Sequence, residues 1–126
     1  MRGTSYLVTI RGEFASLNEW VDANRTRNGA WSKGNSMKQA DQKRIIRQLP
    51  KIRINKQISL QYTFYCRNKR KDKDNVCGYF HKIFQDSLVK AGIIKNDGWD
   101  DIFDFHDAFQ IDREDPRIEV EIEVIG

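Results

Sequence analysis

The segment Arg117–Ile125 (RIEVEIEVI) alternates apolar and charged residues with a period of two. Only an extended strand places such residues on opposite faces, so Ile118, Val120, Ile122 and Val124 point inward and the glutamates outward. This forces at least one half-buried sheet on the chain. Lys56–Cys66 (KQISLQYTFYC) repeats the pattern, with Ile58, Leu60, Tyr62 and Phe64 against Ser59, Gln61, Thr63 and Tyr65. Tyr6–Ile10 is β-branched and aromatic, and reads as another strand. Trp99–Ile111 alternates Phe103, Phe105, Phe109 and Ile111 with polar residues. A turn over Asp112–Pro116 predicts an antiparallel hairpin between that strand and Arg117–Ile125.

Helices fill the spaces between. Ser16-Leu-Asn-Glu19 has the capping-box spacing and starts a helix running to about Thr26, with Leu17, Trp20, Val21 and Ala23 inward. Asn28–Ser36 reads as a loop in which Trp31 is either a packing anchor, the favoured reading, or a surface for stacking on a base. Ser36 caps a second helix, Met37–Leu49, stopped by Pro50. Its outward side carries Lys38, Lys43, Arg44 and Arg47; these cations either follow a phosphate backbone or are simply solvated. A third helix follows Asp74 and ends at Gly92. The 126 residues contain no internal repeat or linker, which fits one domain over 1–126. The expected fold is α+β, a mixed or antiparallel sheet with helices mainly on one face.

No apolar run approaches the ~20 residues that span a bilayer, so a soluble, cytoplasmic protein without a membrane partner is expected. Cys66 and Cys77 give no disulfide framework, and both read as small buried hydrophobes. Charge is divided unevenly. Residues 1–71 hold 16 Lys/Arg against 4 Asp/Glu, and residues 72–126 hold 6 against 14, so balances of +12 and −8 give the net +4. A basic half suits a polyanion, although the halves could equally pair with each other.

The chemistry concentrates between Arg67 and Asp97. Arg67, Lys69, Arg70 and Lys71 precede Asp72 and Asp74. If the backbone is extended there, both carboxylates point the same way. They would repel unless a cation joins them, and Mg²⁺ is held in this manner, by one or two carboxylates together with substrate phosphate. Asp97, in an Asn-Asp-Gly turn, could return to the same spot; turn chemistry alone also accounts for it. Lys82, about 12 Å along the helix from Asp74, could stabilise charge developing on a phosphate or could belong to a surface ladder with Asp86 and Lys90. His81 reads as structural or solvated, and His106 as a group near the site.

The run D-K-D-N (Asp72–Asn75), the helix with F-x-D-x-L-V-K-A-G (Phe84–Gly92) and N-D-G-W (Asn96–Trp99) resembles RusA-like Holliday junction resolvases, including phage and prophage types of Gram-positive bacteria. The likeness extends to the opening strand with S-L-N-E-W and to the closing acidic-apolar strand. It implies a homodimeric, Mg²⁺-dependent endonuclease, with Mn²⁺ as a possible substitute, that cuts four-way DNA junctions symmetrically. It also implies Asp72, Asp74 and Asp97 as metal ligands and a catalytic lysine. The better-known members place that lysine four residues after the second aspartate, where this chain has Gly78. Lys82 takes the role if four residues are inserted. Asn96 stands where a second acidic residue often lies. Arg67, Lys69, Arg70 and Lys71, with Lys43, Arg44 and Arg47, would then hold DNA. Two other readings are a DNA-binding module without catalysis and an interaction protein whose charged halves pair.

Overall fold

A computed structural model describes residues 4–25, 27–28 and 31–126, with backbone alone for 27–28 and 31–32. In chain order the elements are β1 (Ser5–Arg11), α1 (Leu17–Arg25), β2 (Arg27–Asn28), β3 (Trp31–Ser32), α2 (Lys33–Ile46), β4 (Ile58–Cys66), α3 (Lys73–Lys90), β5 (Ile102–Ile111) and β6 (Arg117–Val124). The α+β expectation is met: one mixed sheet has the order β1-β6-β4-β5, with a short β2-β3 ribbon beside it.

Alternation sets the layers. Val8, Ile10, Ile58, Leu60, Tyr62, Phe64, Ile118, Val120 and Ile122 share one core with Tyr79, Phe80, Ile83, Phe84 and Leu88 of α3. Cross-strand partners such as Val8, Val120 and Tyr62 stand side by side across three strands, so the apolar rows form one continuous face.

The expected β5–β6 hairpin does not form. β4 lies between them, parallel to β5 and antiparallel to β6. The Asp112–Pro116 segment crosses the end of β4 instead of turning back on β5. Its start is held where the Asp112 N–H donates to the Cys66 carbonyl at 2.8 Å. Its end is held by Arg117, whose guanidinium donates to Asp112 and Glu119, each at 2.9 Å, and lies 3.8 Å over the Tyr65 ring. Placement follows burial: the fully apolar inward row of β6 takes an interior position, whereas β5 leaves Phe103, Phe105 and Ile111 exposed at the sheet edge. β5 also starts later than expected; Trp99 precedes it and is exposed.

The capping box forms as read: the Ser16 N–H donates to Glu19 at 3.0 Å and the Glu19 N–H donates to the Ser16 hydroxyl at 3.2 Å. Of the inward residues proposed for α1, Ala23 is buried but Val21 is exposed. α2 starts at Lys33 rather than Met37, directly after the β2-β3 ribbon, so Ser36 lies within it and caps nothing. Gly34 has a packing role there, because a Cβ at this position would come within 2.1 Å of the Asn24 side chain. The Trp31 side chain lies outside the described residues. α3 ends in a Schellman motif. Gly92 has φ +76°, its N–H donates to Val89, and the Ile93 N–H reaches back to Leu88.

Below the sheet, Asp41 of α2 is buried; it accepts a hydrogen bond from the Tyr79 hydroxyl at 2.8 Å and pairs with Arg44 at 2.9 Å. Tyr79→Phe removes one donor from this buried carboxylate and should cost about 1–3 kcal/mol. Urea denaturation monitored by tryptophan fluorescence would read the loss, and an unchanged midpoint would show that Arg44 alone satisfies Asp41.

Candidate metal and phosphate site

β4 delivers the chain to the sheet edge at Cys66, and Arg67–Asp72 joins it to α3. The helix begins at Lys73, with Asp72 as its N-cap residue in extended conformation. This revises the expected alternation: Asp72 is extended, but Lys73 and Asp74 are already helical, so the two carboxylates flank the helix start instead of sharing a strand face. The Asp72 carboxylate makes no capping hydrogen bond. Among the described residues it also has no ion pair, which leaves its oxygens open to a ligand. The Asp74 carboxylate accepts from the Asn75 N–H at 2.9 Å. Asn75 in turn accepts from the Asn18 N–H of α1 at 2.9 Å, so the start of α3 is tied to the start of α1. The positive end of the α3 dipole favours both acids here.

Next to this end lies a cavity of about 470 Å³, lined by Phe14, Phe64, Phe80 and the cations Arg67, Arg70, Lys71 and Arg117. Three of these four cations are paired within the fold, Arg117 with Asp112 and Glu119. Arg67 pairs with Glu13 at 2.8 Å and Lys71 with Glu19 at 2.6 Å. The Lys71 ammonium, together with the Ser16 hydrogen bonds, lowers the Glu19 carboxyl to about 2. Lys69 and Arg70 are exposed, with no ion pair among the described residues.

Asp97 is not brought to this pair. α3 has 18 residues, about 27 Å of rise, and Asp97 follows it in the chain and lies close to Asp86 in its second half. Burial raises the Asp97 carboxyl first, then the neighbouring Asp86 carboxyl, while Lys82 opposes the rise. Asp86 also pairs with Lys38 at 3.1 Å. The candidate groups therefore spread along α3: Asp72 and Asp74 at its start, Lys82 at its middle, and Asp97 beside Asp86 in its second half. The connection that carries Asp97 leads into β5, which runs parallel to β4, so it lies opposite the end of the sheet where β4 hands over to α3.

Gly78, the position of the lysine in the resembling family, faces α1: a Cβ there would lie 3.1 Å from Leu17 Cδ2. Lys82 is exposed.

The basic face of α2 is also narrower than expected. Arg44 turns inward, to Asp41, to the Glu13 carbonyl at 3.0 Å and to within 4.3 Å of the Phe14 ring centroid, and Lys38 turns to α3. Lys43 and Arg47 remain exposed. His106 contacts Asp104 at 3.3 Å on the sheet face away from the helices.

One group was missed. His81, read as structural or solvated, is part-buried: its Nε2 lies 2.7 Å from Asp107 Oδ1, and Cys77 is the third member of a set whose donor atoms lie within 4.8 Å of one another. Cys77, read as a small buried hydrophobe, is part-buried. Two signals pointed to this group, the i, i+4 spacing of Cys77 and His81 and the position of Asp107 on the inward row of β5.

Neither the protein-family models nor the curated proteins give a match to this chain.

Gly78→Lys should destabilise the fold by about 1–3 kcal/mol through overpacking against Leu17, read as a lower urea midpoint at unchanged slope. A neutral result would mean that α1 yields at this contact.

Proposed function

We propose that this protein is a divalent-metal-dependent endonuclease acting on branched DNA, with four-way junctions as substrate, and that Asp72 and Asp74 hold its Mg²⁺. The observation that carries the reading is the N-cap Asp72, a carboxylate that does not cap its helix yet directly follows a basic cavity wide enough for a phosphodiester. An N-cap aspartate ordinarily contributes about 1 kcal/mol by bonding to its own helix; leaving it uncommitted fits a ligand role. The resemblance to RusA-like resolvases supplies the substrate class and the dimer.

In this reading Arg70 and Lys69 meet the DNA backbone first. Arg67 and Lys71 exchange their glutamate partners for phosphate, and Asp72 and Asp74 fix the metal where the scissile group lies. When bound, Mg²⁺ would supply polarisation of the phosphate and an activated water. Ligands of one Mg²⁺ sit about 2.1 Å from it, and α3 keeps Asp97 of the same chain away from its start, with Lys82 midway. If Asp97 serves the same centre, it comes from a second copy. A two-fold dimer that sets the start of α3 in one copy against the end of α3 in the other builds two such centres, matching the symmetry of a junction.

Two experiments test this. Wild-type protein should cut a labelled four-way junction in Mg²⁺ and not in EDTA, and Asp74→Asn should lose cutting while still binding the junction; cleavage by Asp74→Asn would refute the metal assignment. Co-expressed Asp74→Asn and Asp97→Asn chains should then regain nicking that neither variant has alone, since each mixed dimer rebuilds one intact centre. If Asp97→Asn alone cuts normally, the shared centre is wrong and the metal pair stands by itself. If both variants are inactive alone and the mixture is inactive too, the sharing between copies is wrong.

A further inference from the structure

The Cys77, His81 and Asp107 set is built as a metal-binding site is built. Cys77 and His81 stand one turn apart on α3, so both side chains leave the same face of the helix. Asp107 reaches them from β5. The imidazole packs against two neighbouring rings, its ring centroid 4.6 Å from that of Tyr62 and 4.8 Å from that of Phe105. The His81 and Asp107 side chains retain 17% and 20% exposure, enough for an ion to enter and too little for free rotation. The thiol makes a weak 3.7 Å contact with the Asp74 carbonyl. Burial raises the Cys77 thiol first, and the charge of Asp107 adds to the rise.

A His–Asp hydrogen bond alone is an ordinary way to satisfy a half-buried histidine. The thiol changes the reading. A sulfur, an imidazole nitrogen and a carboxylate oxygen together suit Zn²⁺ and its neighbours and not Mg²⁺, and three protein ligands leave a fourth position open.

We infer that Cys77, His81 and Asp107 bind one Zn²⁺-class transition ion, at a centre separate from Asp72 and Asp74. On binding, the thiol loses its proton to solvent, His81 turns its Nε2 lone pair to the metal by moving its proton to Nδ1, and the two negative ligands neutralise the ion. Neither this step nor its test depends on the nuclease reading.

The full-length chain, stripped with chelator and titrated with Co²⁺ in excess Mg²⁺, should take up one equivalent. It should develop a near-ultraviolet thiolate-to-cobalt charge-transfer band and the visible bands of tetrahedral Co²⁺, all abolished by Zn²⁺. Cys77→Ser should remove the charge-transfer band and His81→Gln should weaken Co²⁺ binding by about 100-fold, while Asp72→Asn should leave both unchanged. Absence of the band in the wild-type protein at saturating Co²⁺ would overturn the inference whatever the variants do, as would its persistence in Cys77→Ser.

Discussion

Tyr62 is the residue on which the arrangement turns. It is fully buried in the middle of β4, and its ring meets Phe80 and Phe84 edge-on at 6.1 and 5.8 Å, Phe64 at 6.0 Å and Phe105 at 6.3 Å. Aromatic pairs of this kind add about 0.5–1.5 kcal/mol each beyond the area they bury. Its hydroxyl is satisfied by Gln85 at 3.2 Å. One side chain thus locks α3 across β4 and clamps β5 alongside. Because the lock lies mid-strand and mid-helix, the start of α3 stands beside the end of β4. The joining segment, with its cations and Asp72, has nowhere to go but the rim of the cavity.

The parts of the fold that were legible in the sequence are those governed by local periodicity. β4 and β6 follow from alternation, β1 from its β-branched and aromatic run, the start of α1 from its capping box, and the end of α3 from Gly92. Pairing was less legible. Arg117–Ile125 announces a buried strand but not its neighbours, and the crossing past β4 depends on Arg117 contacts that join positions distant in space. The start of α2 was hidden because Gly34 looks like a helix breaker until Asn24 is seen pressed against it.

The same distinction holds for the candidate site. Cations followed by Asp72 and Asp74 form a contiguous signal, and the structure sets them together at one helix end. Convergence of Asp97 required the chain to return, and an 18-residue helix inside a parallel β-α-β unit carries it away instead. The Cys77, His81 and Asp107 group was obscured in the opposite manner: helical spacing supplies two members, and the third appears only when a parallel strand is laid beside α3. Arg44, counted among surface cations, is committed to the buried Asp41.

The charge asymmetry is only partly spent within the fold. Lys38 with Asp86 and Arg11 with Asp115 join the basic and acidic halves, whereas Arg67 and Lys71 pair with acids of their own half. Lys69, Arg70, Lys43 and Arg47 are left outward, a surface suited to a polyanion. The central claim is that the start of α3 is where a hard divalent ion binds. Paramagnetic broadening by Mn²⁺ of the backbone amide resonances measures this most directly. The account predicts that amides of residues 72–76 broaden at substoichiometric Mn²⁺ and recover with excess Mg²⁺. If they stay sharp at saturating Mn²⁺, the account is contradicted.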